Sequence, residues 1–499
     1  MFSELGFLPL YKTFGCAYND LTMDTTNNAH SASLLRGLPS VNRLLSAPTI
    51  ATLLASQPKS VVTACTREIL ESIRKEILSQ TQGSELNVPG EEAILSRIVA
   101  RVEERTRRTL RPAINATGVV LHTGLGRARL PEVACDALYE VARQHSLVEI
   151  DPASGQRGSR QAHVRDLLCE LTGAEEALVL NNCAAAIFLA VNAIAIGREV
   201  IISRGELVEI GGAFRIPDII RQSGATLVEV GTTNKTRISD YANAITEKTA
   251  LILRCHPSNF AIIGFTESAS TEELVALGRS HNVPVMEDQG SGALYPLHSL
   301  GMPGLSGSLV ESVQAGYTVI TASGDKLLGA TQAGILLGKR EVIRDIAQHP
   351  LARALRIDKL TLAVLEATLR LYRDPAEARE AIPTLRYLYR TPSEIRTLAQ
   401  RLQRGLRRSL PKEQYAVALQ NDFSEVGGGS LPGQSLPTVC VALKCTTTSV
   451  EGLAKRLREG EPAVFPRIRQ DTLLFDLRTV EDWEIALIIQ AFANLTSSA

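Results

Sequence analysis

Two apolar runs near the middle of the chain, TVITAS (318–323) and AGILLG (333–338), are separated by only nine residues. A parallel crossover needs a dozen or more residues, so these two strands must run antiparallel. Upstream lie five more apolar runs: ALVL (177–180), EVIIS (199–203), ATLVEV (225–230), TALILRC (249–255) and VPVMED (283–288). Amphipathic stretches at helical spacing fill most of the gaps. That is the pattern of an open, mostly parallel sheet covered on both faces. The spacing therefore predicts an α/β domain of seven strands with one antiparallel member.

The flanks divide differently. Residues 1–34 are polar from Asp24 to Ser33, with a second methionine, Met23, just before that run. They read as a disordered or mis-assigned extension. A helical domain follows at 35–85, with Ser40 as an N-cap and VVTACTREILESIRKEIL at helical spacing. The stretch 86–112, ending before Pro112, reads as a charged linker helix. The sheet domain then spans 113–375. A smaller α/β domain, 376–499, contains the turn VGGGSLPGQSLP and the strands TVCVAL and LLFDL. Formal charge is zero overall, yet Arg36 to Arg111 carries a net +4, and Arg386 to Lys412 sets eight basic residues against Glu394 alone. Such flanks suggest a polyanion contact, although solvated helix faces explain the charge equally well. None of the eight cysteines forms a C-x-x-C pair, which points to buried thiols rather than a disulfide or metal framework. The most apolar stretch, Ala184–Ile196, is too short to span a bilayer, and no signal peptide is evident, so a cytoplasmic protein is expected.

Chemistry concentrates at the strand ends. Lys326 follows TVITAS and precedes a glycine turn, where its amine can enter a cleft. Pyridoxal phosphate (PLP) chemistry needs one such lysine, as a Schiff-base partner and then as a base at the α-carbon. By itself it is better read as a solvated loop lysine. Asp288, ending VPVMED, can hold the pyridine nitrogen protonated. Asn182, Cys183 and Ala184 turn from a strand into an alanine-rich helix, whose free N–H groups and dipole suit a phosphate. Ser323 can add a hydroxyl. Phosphate turn, ring-nitrogen aspartate and Schiff-base lysine stand in the chain order of a fold-type I PLP enzyme. That combination assigns the class and its cofactor.

The motifs INATGVVLHTGLGRARL, GQRGSRQAHV, SRGELVEIGGAFRIPD, VEVGTTNKT, SGDKLLGATQAGILLG, HPLARALRIDKLTLAVLEATLRLY and VGGGSLPGQSLP resemble those of the bacterial selenocysteine synthases, the L-seryl-tRNA(Sec) selenium transferases. The resemblance runs from about residue 36 to about 490. It implies PLP-dependent β-elimination of the hydroxyl from seryl-tRNA(Sec), then addition of selenium from selenophosphate. It places the cofactor on Lys326, selenophosphate on Arg127, Arg353 and Arg356, and a catalytic role on Asp325. Arginine suits an oxyanion because its planar fork donates paired hydrogen bonds. Arg157, Arg160 and His163 are weaker candidates for a loop facing the cofactor. Gly124, Cys183 and Gln289 depart from the family pattern without removing a group that the chemistry needs. The resemblance also implies a homo-oligomer, a ring of dimers. The alternatives are a PLP lyase or aldolase acting on a free small molecule, and a non-catalytic tRNA-binding protein. A basic helical domain before Pro112 disfavours the first, and an intact Lys326 and Asp288 the second.

Overall fold

A computed structural model describes residues 34–79, 89–211, 214–257, 259–297, 307–431 and 433–497. The proposed N-terminal extension therefore lies outside the described residues, apart from its last position. Close contacts divide the chain into one unit ending at Arg111 and a second beginning at Pro112.

In the first unit, α1 (Lys59–Ser79) buries Val62, Cys65, Leu70, Ile73 and Ile77. Helix α2 (Glu91–Thr106) buries Ile94, Ile98 and Val102 in the same core. Spacings of three and four residues put each set on one helix face. The expected linker helix is thus an integral part of the N-terminal core, because its apolar stripe needs a partner. Arg97 pairs with Glu76, Arg101 with Glu68 and Arg43 with Glu91. Much of this unit's basic charge is matched within the unit itself.

The second unit contains two main sheets built from twelve strands: β1 (Ala113–Ala116), β2 (Glu176–Leu180), β3 (Glu199–Ser203), β4 (Thr226–Val230), β5 (Thr249–Cys255), β6 (Val285–Asp288), β7 (Val319–Ser323), β8 (Gly334–Gly338), β9 (Tyr415–Glu425), β10 (Ser435–Cys445), β11 (Ala463–Arg469) and β12 (Thr472–Asp476). The larger sheet runs β2-β8-β7-β6-β5-β3-β4. Only β8 is antiparallel to its neighbours. All seven expected strands are present, and the nine-residue gap produces the antiparallel pair that it predicts. Both faces are apolar. Val179, Ile201, Ile252 and Ile320 point into one layer, and Leu178, Val200, Leu251 and Val319 into the other.

The smaller sheet runs β1-β11-β12-β10-β9. Here β1 pairs in parallel with β11, Ala113 opposite Ala463. The segment expected to open the larger sheet's domain is therefore a strand of the other sheet. Strands β9 and β11 escaped the sequence reading because their burial is patchy, leaving no strict alternation. Helix α4 (Pro392–Ser409) buries Ile395, Ala399, Leu402 and Leu406. Its arginines are partly engaged: Arg401 pairs with Asp482, Arg407 donates to Val417 O, and Arg396 donates to Asn421 Oδ1. The chain after β1 is fastened to the β9–β10 turn, where Val120 N donates to Glu425 O and Leu121 N to Val426 O. This brings the residue 122–128 loop over the strand ends of the larger sheet. Among the described residues no helix is long and apolar enough to cross a membrane.

Candidate active site

The carboxyl ends of β6 and β7 and the start of α3 (Cys183–Ala195) converge on a cavity of ≈ 290 Å³. Its walls include Arg127, Asn182, Cys183, Ala184, Asp288, Ser323, Asp325 and Lys326. Open α/β sheets bind ligands at strand carboxyl ends, because helix N-termini and free loop backbone gather there.

Lys326 is 5% exposed. Burial pulls its ammonium pKa down, while Cys183 and Asp288 act in the opposite sense. Its loop is held by Gly324 N donating to Ala333 O and Leu327 N donating to Ser291 O. Gly292 sits at φ +71, and a Cβ there would lie 2.2 Å from Ser323 O. Only glycine lets the β6 turn approach the lysine loop so closely.

Asp288 is also 5% exposed. Its Oδ1 accepts from Thr321 Oγ1 at 2.9 Å and from the Cys183 thiol at 3.7 Å. Burial pushes its carboxyl pKa up, against Thr321 and Lys326, which favour the carboxylate. At the start of α3, Asn182 Oδ1 accepts from Ala185 N at 2.9 Å. The asparagine side chain is thus the helix cap, and Cys183 and Ala184, the first residues of α3, stand in the cavity wall. A Cβ on Gly334 would lie 2.0 Å from Asn182 O, so β8 can pass beside this turn only as glycine.

Asp325 bridges two partners. Its Oδ1 accepts from Ser323 Oγ at 2.6 Å, and its Oδ2 from Arg127 at 2.8 Å. The Ser323 hydroxyl, expected to serve a phosphate, is therefore engaged by Asp325. Arg127 adopts φ +60, a strained value for a non-glycine residue. Arg127 N donates to His122 O at 3.0 Å and Ala128 N to Asp325 O at 3.3 Å, which hold it there.

Arg353 and Arg356 do not line this cavity. Arg353 is exposed on a short helix, and Arg356 lies 3.5 Å from Glu149, which also pairs with Arg157 and Arg160. Asn181 N donates to Leu355 O at 3.0 Å, so the segment carrying both arginines runs beside the α3 turn. His163 Nε2 lies 3.1 Å from Val148 O, a structural contact.

Sequence reasoning missed Thr321, whose place opposite Asp288 follows from strand register. It also passed over His256, whose N–H donates to Asp288 O at 3.0 Å. Burial, with Arg254 and Lys326 nearby, holds that imidazole down at about 4. A histidine directly after TALILRC was a readable signal.

A buried amine, a carboxylate facing the same space and a helix N-terminus meet the needs of PLP's aldehyde, ring nitrogen and phosphate. The architecture is that of fold-type I PLP enzymes. D-Glucosaminate-6-phosphate ammonia-lyase shares it, with a TM-score of 0.53 and 20% identity, covering 80% of this chain and 98% of that one. A family model described as L-seryl-tRNA selenium transferase matches residues 113–481, and one for the selenocysteine synthase N terminus matches 35–74. The L-seryl-tRNA(Sec) selenium transferase of Geotalea daltonii is 46% identical over 464 residues, covering 93% of this chain and 99% of that protein. The Moorella thermoacetica enzyme of the same name is 48% identical over 450 residues, covering 90% and 94%. The chain belongs to the L-seryl-tRNA selenium transferase family.

Proposed function

We propose that this protein converts seryl-tRNA(Sec) into selenocysteinyl-tRNA(Sec), with PLP as cofactor and selenophosphate as selenium donor. The observation that carries the reading is the convergence of Lys326, Asp288 and the α3 N-terminus on one cavity, in a chain of this family. When bound, PLP supplies an electron sink that loosens the bonds at the serine α-carbon. Lys326 would hold the cofactor's aldehyde carbon, and the α3 N–H groups at Cys183 and Ala184 its phosphate. Asp288 would sit against the ring nitrogen and keep its proton there.

The remaining residues act on the substrates. Once released, the Lys326 amine takes the proton from the serine α-carbon and returns it at the end. Burial weakens its hold on a proton, against the opposing pull of Cys183 and Asp288. Arg127 presents its guanidinium to an oxyanion, and Asp325 orients it. Arg353 and Arg356 lie beside the cavity rather than in its wall; their assignment to selenophosphate rests on the family resemblance and on the tie of their segment to the α3 turn. Serine esterified to tRNA has no free carboxylate, so no arginine is required to grip one. The tRNA body is held outside the cavity, with residues 35–85 as the candidate surface. A homo-oligomer built from dimers and a cytoplasmic setting belong to this reading.

The test is incubation of the PLP-loaded protein with seryl-tRNA(Sec) and selenophosphate, followed by mass analysis of the esterified amino acid. Selenocysteine is the expected product. Recovery of serine alone, from protein with PLP bound and tRNA engaged, would reject the reading.

A further inference from the structure

Trp483, the chain's single tryptophan, lies in the loop between β12 and α5 (Glu484–Ser497). It is 59% exposed, although its loop is held firmly. Arg390 donates to the carbonyls of Leu477, Arg478 and Val480. The Glu481 carboxylate accepts from Tyr387 Oη at 2.6 Å, and Glu481 N donates to Glu484 Oε2 at 2.8 Å. The buried Glu484 in turn accepts from Arg129 at 3.0 Å, and the Arg129 guanidinium lies over the indole, 5.4 Å from the ring centroid. Scattered exposed apolar residues need no explanation. This one is different: hydrogen bonds from Arg390 and the half-buried Arg129–Glu484 pair fix the loop on either side of it, while the indole itself stands in water beside a cation.

Its position adds the second observation. Arg129 follows Arg127 by two residues, so their Cα atoms are at most about 7 Å apart. Arg127, Ala128 and Leu130 line a further cavity, which shares Arg127, Asp325 and Gln332 with the Lys326 cavity. Through Arg129, the indole is therefore tied to the loop that carries Arg127 at the Lys326 cavity.

We propose that Trp483 and Arg129 form a stacking platform for an unpaired base in the 3′-terminal single strand of the aminoacylated tRNA. The proposal rests on the tRNA reading above. The seryl ester sits on the terminal ribose, so the last unpaired nucleotides must pass close to the mouth of the Lys326 cavity, beside the loop that holds Arg127 and Arg129, for serine to reach Lys326. An indole stacks on any base, and an arginine adds a cation–π contact and a donor for phosphate. A preset platform loses little conformational freedom on binding.

With one tryptophan in the chain, its fluorescence reports on this site directly. The PLP-loaded enzyme is titrated with a tRNA(Sec) transcript ending in CCA and with the same transcript lacking those nucleotides, while filter binding records occupancy. Quenching by the intact transcript and not by the trimmed one is expected. Trp483→Ala should raise KM for seryl-tRNA roughly tenfold with kcat little changed, and Trp483→Phe should restore most of the loss. The cofactor spectrum and Tm should stay unchanged in both. Equal quenching by the two transcripts overturns the proposal, as does a silent indole with tRNA bound or no tRNA binding at all. These fluorescence outcomes need no variant to fold. If selenocysteine forms while the indole stays silent, the platform alone fails. If the indole responds to the 3′ end but no selenocysteine forms, the catalytic reading fails and the platform stands.

Discussion

At the cavity floor, Lys326 and Asp288 are both almost wholly shielded from water. Lys326→Ala should remove the visible absorbance of lysine-bound cofactor and abolish turnover, because only a primary amine can form the imine. Borohydride reduction followed by peptide mass analysis checks this, and a reduced lysine adduct surviving in the variant would mean that another residue carries the cofactor. Glu206 offers a separate test at the same scale. Its carboxyl accepts from Cys255 N at 3.1 Å, and burial pushes it up to about 7, against the pull of Arg254. A carboxyl whose folded pKa lies above its unfolded value favours the fold only while protonated. That contribution is present below about pH 4.5 and is lost as pH rises through 7, at a cost of roughly 3 kcal/mol. Glu206→Gln stays neutral throughout and keeps an acceptor for Cys255. Its Tm relative to wild type should therefore climb between pH 5 and pH 8. A constant difference across that range would show that Glu206 does not titrate there.

Two elements set the geometry around these residues. The α3 turn depends on Gly334, since a Cβ there would meet the Asn182 carbonyl. Gly334→Ala should displace that turn and weaken PLP binding, measured by equilibrium dialysis, while leaving far-UV dichroism near wild type. Unchanged PLP affinity would argue that the turn does not hold the phosphate. The neighbouring segment carries Arg353 and Arg356, tied to the turn through Leu355. Replacing either by alanine should impair use of selenophosphate more than binding of seryl-tRNA. Each removes a charge-assisted contact worth about 1.5–3 kcal/mol, roughly ten- to hundredfold in affinity. Equal losses on both substrates would assign these arginines to structure, through Glu149 and its partners.

At the scale of the whole molecule, the N-terminal unit is the natural piece to remove. Its core includes α2, so a cut at residue 85 would strand Ile94, Ile98 and Val102 without their α1 partners. Deleting residues 1–111 removes the unit cleanly. The shortened protein should keep PLP but bind seryl-tRNA more weakly, with a shallower dependence on salt, because fewer phosphates are neutralised. Filter binding across a salt series tests this, with light scattering on the same samples. Unchanged tRNA affinity would remove the tRNA-holding role from this unit, and a change in mass alone would assign it to subunit assembly.

The sequence by itself determined the larger sheet, because buried strands are written as contiguous apolar runs and a nine-residue gap admits only antiparallel pairing. It also marked Lys326, Asp288 and the α3 turn, since strand-end positions follow directly from those runs. What only the tertiary structure decided depends on partners distant in sequence. Thr321 meets Asp288 through strand register, Arg127 meets Asp325 across 198 residues, and β1 joins a strand some 350 residues later. Arg353 and Arg356 follow the same rule: the sequence marked them as arginines, but the chain path leaves them beside the cavity rather than in its wall. Periodicity records which face of an element is buried. It does not record what lies opposite, because that is set by how the elements pack.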